Sequence, residues 1–385
     1  MKKEEQLQKK ILLFSRTDDV FTQQLAENFV SRGIIVHCCD IHNYLFYNYI
    51  TTEKKIYFSL PSFMKRILPV VFFTRLYTFF LVKRDITIYY DYCHILYNKY
   101  EYILLLRSIS KMSSKLISSV YGSDLHSNYF LFFYKNYYKR FDIITFTSPE
   151  LRKIFLNYFK YIDIDKVKVC PWGLKILDLI DEVKTSDNIY KIKTKYGIDR
   201  NSIVITVGSY GGYVHQHFKI IKLLSEIELK KFQIFFLFPI TYGGNKKYIN
   251  NLHSSINKFL KNYNYKIIDY FLSYEEVAEL RCITDIFINM VLFDQLSGAM
   301  IEHLYSGNIV ITGKWLPYQV LDDSGVYYKR IDNIQKLNDV LMHCLNNFSV
   351  EKSLSEGNKD IIGNIYKWEK TIFFWLKNYT EFKHN

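Results

Sequence analysis

Phe293-Asp-Gln-Leu-Ser-Gly-Ala-Met-Ile-Glu-His-Leu-Tyr-Ser-Gly307 is the stretch that decides the fold of this chain. It sets two carboxylates, Asp294 and Glu302, eight positions apart across a Ser-Gly-Ala turn that opens a short helix. The apolar run over 283–293 reads as a strand before it, and Ile309-Val-Ile-Thr312 as the next strand after it. Strand, small-residue turn, helix and strand in that order form one unit of a parallel sheet. With Ser297 at the cap, the first helical amides, those of Gly298, Ala299 and Met300, have no partner one turn back and point out of the helix. Such a terminus can hold a phosphate. Asp294 then stands ahead of the helix, where a sugar would sit, and Glu302 about one turn inside it, within reach of a ribose.

Working outward, 11–15 reads as a first strand, 20–31 as a helix stopped by Gly33, and 34–38 as a second strand. Further strands are expected over 86–90, 115–120 and 143–146, and Pro171 with Gly173 reads as a hinge. The alternation then restarts: strand 203–207, a Gly-rich loop, helix 218–227, strand 232–238, a second Gly-rich loop, helix 248–260, strand 266–268. Two consecutive halves of this kind make an α/β protein of two Rossmann-like domains facing a cleft, 1–172 and 173–366. A last helix over 367–382 carries Trp368, Ile372, Trp375, Leu376 and Tyr379 at helical spacing, the pattern of a packing helix.

Lysine and arginine outnumber acidic residues to give a net charge of +13, which favours anionic partners. Six cysteines without C-x-x-C pairs or ligand-like spacing to histidine argue against a disulfide framework or a zinc site and fit a reducing cytoplasm. The charged N-terminus leads directly into a strand, so no signal peptide is expected. The longest apolar run, 67–82, is interrupted by Arg75 and is shorter than the roughly 20 residues of a membrane span. Two basic aromatic stretches, 61–84 and 129–140, suit either an anionic lipid interface or buried helices with snorkelling lysines. No nucleic-acid motif accompanies them.

Two Gly-rich loops follow strands. In Val207-Gly-Ser-Tyr-Gly-Gly212 the residues Gly208, Ser209 and Gly211 allow close backbone approach to a diphosphate, with His215, His217 and Lys219 just beyond as cationic donors. Thr241-Tyr242-Gly243-Gly244 repeats the design on the next strand. Asp163-Ile-Asp165 has the form of a metal-binding D-x-D, but with no Gly loop or second carboxylate pair beside it we read it as a turn.

The acidic pair resembles the acidic-x7-acidic motif of GT-B sugar-nucleotide glycosyltransferases, with Asp294 where a Glu is usual. The stretch from Gly208 to His217, the Thr241-Tyr-Gly-Gly loop, Phe271-Leu-Ser-Tyr-Glu-Glu276 and Tyr121-Gly-Ser-Asp-Leu125 are similar to bacterial 4-acetamido-4,6-dideoxygalactose transferases and related surface-polysaccharide transferases. The similarity runs in patches over residues 115–320. The resemblance implies a metal-independent, cofactor-free hexosyltransferase, with a thymidine- or uridine-diphosphate sugar on the second domain and a lipid-linked saccharide on the first. It also implies a final helix that braces the first domain; together with the basic aromatic stretches it points to a protein peripheral on the cytoplasmic face of the membrane, bound to anionic lipid, and the lack of a nucleic-acid motif argues against nucleic acid as a partner. Inverting sugar transfer needs a group to take the acceptor proton, and Asp124, with His126 beside it, is the candidate; the alternatives are Asp124 as a turn or helix cap and a retaining mechanism in which the leaving diphosphate assists and no protein base is needed. A nucleotide-sugar 2-epimerase and a catalytically silent scaffold subunit are the competing functions.

Overall fold

The computed structural model describes residues 8–125, 134 and 136–380. The chain divides into two compact units: one runs to Gly173 and takes the chain back from Trp368, and the other is Leu174–Lys367.

The first unit is built on strands β1 (Lys10–Phe14), β2 (Ile35–Asp40), β3 (Leu45–Asn48), β4 (Lys54–Ile56), β5 (Tyr90–Ile95), β6 (Ser113–Val120), β7 (Ile143–Phe146) and β8 (Val167–Val169). They form one sheet in the order β4-β3-β2-β1-β5-β6-β7-β8, parallel except where the β3–β4 hairpin joins antiparallel to β2. Ile11 to Phe14 are completely buried, as a parallel strand covered on both faces requires. The strand expected over 86–90 lies instead at Tyr90–Ile95. The preceding helix, Leu68–Asp85, is closed by the Ile86 amide bonding back to the Val82 carbonyl, which leaves 86–89 as connection.

The two basic aromatic stretches part company. Tyr134, Tyr137 and Tyr138 are buried in the core, and the Tyr134 and Tyr137 hydroxyls donate to Asn98 O and Oδ1 at 3.0 and 2.9 Å. The described part of 129–140 is therefore core rather than lipid-facing surface; Tyr129, Phe130, Phe133 and Lys135 lie outside the described residues. The helix Leu68–Asp85 keeps a stripe in solvent, with Phe73, Tyr77 and Phe80 at 66%, 57% and 50% exposure. Among the described residues no helix is long and apolar enough to cross a membrane.

The helix Trp368–Thr380 belongs to the first unit. Trp368, Ile372, Trp375 and Tyr379 enter its core beside Leu25, Phe29 and Trp172. Trp368 Nε1 donates to Gln24 Oε1 at 2.7 Å and Trp375 Nε1 to the Pro171 carbonyl at 2.9 Å. Buried His94 on β5 shares hydrogen bonds with the Tyr379 hydroxyl (2.6 Å) and Ser119 Oγ (2.8 Å). Gly173 is a glycine because a Cβ there would overlap the Trp368 ring.

The second unit carries β9 (Ile203–Val207), β10 (Ile234–Pro239), β11 (Asn264–Ile268), β12 (Ile286–Asn289), β13 (Ile309–Gly313) and β14 (Lys329–Ile331). They form an all-parallel sheet ordered β11-β10-β9-β12-β13-β14. The order reverses between β9 and β12, so the loops leaving these two strands diverge to opposite sides and open a crevice, where open α/β sheets bind their ligands.

Candidate active site in the second unit

A pocket of about 300 Å³ opens in the second unit, lined by loop residues that follow β9, β10 and β12. Ser209, Tyr210 and His215 come from the first loop, Thr241 and Tyr242 from the second, and Phe293, Asp294 and Ser297 to Ala299 from the third. Arg281 and Glu302 complete it from two helices.

The helix Gly298–Tyr305 begins at this pocket with Ser297 as N-cap, and the Ser297 side chain makes no capping bond. The Gly298 and Ala299 amides have no hydrogen-bond partner among the described residues and face the pocket. Met300, expected as a third free donor, bonds to the Ser297 carbonyl at 3.1 Å instead.

Asp294 is less free than the sequence suggested. Its Oδ1 accepts from the Gln295 amide (2.8 Å), and its Oδ2 from the Ser297 amide (3.0 Å) and the Tyr318 hydroxyl (2.5 Å). It holds in place a loop that includes Leu296 in a left-handed conformation at φ +64, a strained choice for a side-chain-bearing residue. Asp294 remains on the pocket wall with these bonds formed.

Glu302 lies one turn inside the helix, as expected, but it is paired: Arg281 Nε meets Oε2 at 2.9 Å, with the two side chains only 8% and 12% exposed. Oε1 lies on the side of Gly298. Arg281, near the end of helix Tyr274–Ile283, has no motif around it and was not read from the sequence. Its one signal is a cation next to the apolar strand that follows.

The histidines exchange places. His217, expected as a cationic donor, is fully buried; its Nε2–H donates to the Val207 carbonyl (3.2 Å) and its Nδ1 meets the Tyr248 hydroxyl (2.7 Å). Burial, helped by neighbouring His215, pushes it down to about 3, so it is neutral. His215 is the one that reaches the pocket. It is 2% exposed, stands edge-on to Tyr210 with ring centres 4.2 Å apart, and neither ring nitrogen has a partner among the described residues. Burial lowers it to about 4. The short 3-10 turn Tyr213–His215 and the left-handed Gln216 separate the two residues in the chain, and their rings lie side by side with centres 5.5 Å apart. Lys219 lies exposed on the helix and is not part of the pocket wall.

The glycines act differently from the cradle expected of them. Gly211 N donates to Tyr242 O at 2.7 Å, and a Cβ on Gly211 or Gly243 would collide with backbone of the opposite loop. Gly211 and Gly243 let the two loops touch, which stacks Tyr210 on Tyr242 at 4.8 Å. Gly208, at φ +68, has no room for a side chain beside His217.

In the first unit Asp124 sits on the short helix Gly122–Leu125 after β6. Its Oδ2 accepts from the Tyr121 amide (3.0 Å) and Asn98 Nδ2 (3.2 Å), so it also caps its own turn. Burial outweighs these bonds and pushes the carboxyl up to about 6. His126 lies outside the described residues. Asp163 caps the turn Ile164–Lys166, its Oδ1 accepting the Asp165 amide at 3.0 Å.

No family model matches the chain, and no curated protein matches its sequence. Solved structures do. A glycosyltransferase from Rickettsia africae superposes with a TM-score of 0.72 at 16% identity, over 97% of this chain and 98% of that one. Anabaena HepE in complex with UDP gives 0.72 at 14%, over 97% and 100%, and sucrose-phosphate synthase from Thermosynechococcus elongatus 0.72 at 12%, over 97% and 98%.

This chain has the GT-B fold.

Within the GT-B fold the pocket described above belongs to the second Rossmann-like unit, and its helix-terminal amides, unpartnered imidazole and paired carboxylate stand at the ends of adjacent parallel strands.

Proposed function

We propose that this protein is a glycosyltransferase that moves a sugar from a uridine- or thymidine-diphosphate donor to a lipid-linked saccharide in surface-polysaccharide assembly, working at the cytoplasmic face of the membrane. The observation that carries the reading is the pocket of the second unit, where two free helix amides and an unpartnered buried histidine converge. Backbone donors and a helix terminus stabilise a diphosphate, both bound and as a leaving group, without a metal. In this reading Gly298, Ala299, Ser209 and Ser297 hold the diphosphate with His215, Tyr242 borders the nucleoside, Glu302 meets the ribose through Oε1 and Asp294 the sugar. The structural neighbour HepE was also solved with UDP-glucose, which supports a nucleotide sugar as ligand.

The test is a panel of nucleoside diphosphates and their sugars, titrated calorimetrically in excess chelator. One uridine or thymidine compound is expected to bind, and His215→Ala to weaken it tenfold or more, because a hydrogen bond to a charged group contributes about 1.5–3 kcal/mol. Binding of none of them would overturn the reading.

The first unit supplies the base. A carboxyl held at about 6 is matched to proton transfer near neutral pH. Asp124→Asn is expected to lower turnover roughly a hundredfold or more with donor affinity unchanged. It should also stabilise the protein. Folding raises this carboxyl's affinity for its proton, so its favourable contribution is complete below about pH 4 and lost as the pH rises through about 6. At neutral pH the charge is a burden of up to about 3 kcal/mol, which the amide removes. Unchanged turnover would exclude Asp124 as base; a lowered melting temperature would exclude the burial argument.

The membrane reading rests on the helix Leu68–Asp85, whose exposed aromatic stripe is bracketed by Lys65 and Arg66 at one end and Lys83 and Arg84 at the other. Aromatic rings between basic ends suit an anionic lipid interface.

A further inference from the structure

The first unit contains a cavity of about 520 Å³ that includes none of the residues given a role so far in donor binding or proton transfer. It lies between the loop after β1, the β3–β4 hairpin, the 3-10 turn Met64–Arg66 and the helix Leu68–Asp85. Its cations are Lys54, Lys65 and Arg75. Lys54 and Lys65 form no ion pair among the described residues. Arg75 reaches Glu101 at 2.7 Å through Nη1 while its buried Nε has no partner there. The one carboxylate on the wall, Asp18, is matched by Arg16 at 2.7 Å. The cavity thus keeps a positive excess, and His42 and Asn43 add polar groups.

The same segment carries the apolar surface. Val71 and Arg75, one turn apart, line the cavity, Tyr77 packs at 5.7 Å against Phe58 of its wall, and Phe73 and Phe80 lie on the opposite side of that helix. Lys65 faces the cavity from a turn flanked by Phe63 and Leu68, which are 64% and 79% exposed. A cation-lined cavity at the edge of an exposed apolar face fits one kind of occupant, an amphiphile with an anionic head.

We infer that this cavity binds the phosphate or diphosphate headgroup of a membrane lipid, with the hydrocarbon chain remaining in the bilayer against the Phe73–Phe80 face. Resting on the transferase reading, this lipid is the carrier of the saccharide acceptor. A soluble phosphate would need the cations but not the aromatic stripe, and a partner helix would need the stripe but not the cations.

The experiment is flotation of the full chain with three vesicles: neutral phosphatidylcholine, phosphatidylcholine with phosphatidylglycerol, and phosphatidylcholine with a polyprenyl diphosphate at matched charge. The diphosphate vesicles are expected to retain the protein about tenfold better than the charge-matched ones. Lys54→Gln with Lys65→Gln should abolish that preference while leaving nucleotide binding and the melting temperature unchanged, since both side chains are exposed. Phe73→Ser with Tyr77→Ser should release the protein from all three vesicles. Equal retention on the two anionic vesicles would overturn the headgroup site. So would full competition by inorganic diphosphate without any lipid preference, which would assign the cavity to a soluble anion. Either result with nucleotide binding intact leaves the transferase reading standing, whereas a nucleotide panel that binds nothing removes that reading independently.

Discussion

Taken from pH 7 to about 4.5, both units of this protein are expected to lose most of their stability, well before the bulk of the surface carboxylates is protonated. Four histidines are held neutral by burial: His94 and His217 down to about 3, His42 and His215 down to about 4, with Arg75 reinforcing the effect at His42. His303, stacked on Phe287 at 3.8 Å, is lowered as well, by burial and then by Arg281 and Lys352. Each imidazole binds its proton more readily when unfolded, near pH 6.5, than when folded. The stability it contributes is therefore complete above about 6.5 and is lost as the pH falls toward the folded value. At pH 4.5 the loss is about 2–3 kcal/mol per histidine, against a net stability of about 5–15 kcal/mol for an ordinary domain. Asp124 works in the opposite direction but is a single group. Urea melts at a series of pH values test this; stability that stays flat down to pH 4.5 would contradict it. His217→Gln should lower stability at neutral pH yet flatten the slope of the second unit's transition.

The pair Arg281–Glu302 sets the second large effect. Removing either partner leaves an almost fully buried charge with no counter-charge, which typically costs about 3–5 kcal/mol. Arg281→Met and Glu302→Leu are each expected to destabilise the second unit by about that amount. The double variant should recover much of the loss, because apolar side chains of similar volume can replace a buried ion pair at little net cost. Simple additivity in the double-mutant cycle would mean that the two side chains act independently. For the nucleotide this separates fold from function. Glu302→Gln keeps an acceptor for Arg281 Nε but removes its counter-charge, so its loss of stability should fall between the parent and Glu302→Leu. The doubly apolar variant should be folded but weakened for nucleoside diphosphate by roughly tenfold or more.

Strands wrapped on both faces were the most legible part of the chain. β1, β9, β10 and β13 are apolar runs because helices cover both sides of the sheet, and such a run needs no partner to be recognised. β5 escaped because Asp91 and His94 break its pattern, and the groups that satisfy them are remote: the Lys10 amide for Asp91, and Tyr379 with Ser119 for His94. The β3–β4 hairpin escaped because all of β4 is exposed and carries no hydrophobic signature. In the candidate site, the turn at Ser297 to Ala299 and the position of Glu302 were visible in residue order. Which histidine faces the pocket was decided by the left-handed Gln216, and the partner of Glu302 came from another helix; neither leaves a local trace. The glycines of the two loops were read as a cradle for a diphosphate, whereas Gly211 and Gly243 meet the backbone of the opposite loop and Gly208 the His217 ring, contacts that no local pattern announces.

The return of Trp368–Thr380 to the first unit makes the order of synthesis differ from the order of completion. The sheet of the first unit stays without the partners of Gln24, Tyr92 and His94 until synthesis has passed the second unit and reached Tyr379. The second unit, translated in between, holds all of its own strands and can close around its core first. The helix that locks the first unit is therefore made only after the whole second unit, and a nascent chain interrupted anywhere in the second unit carries a first unit that is still open.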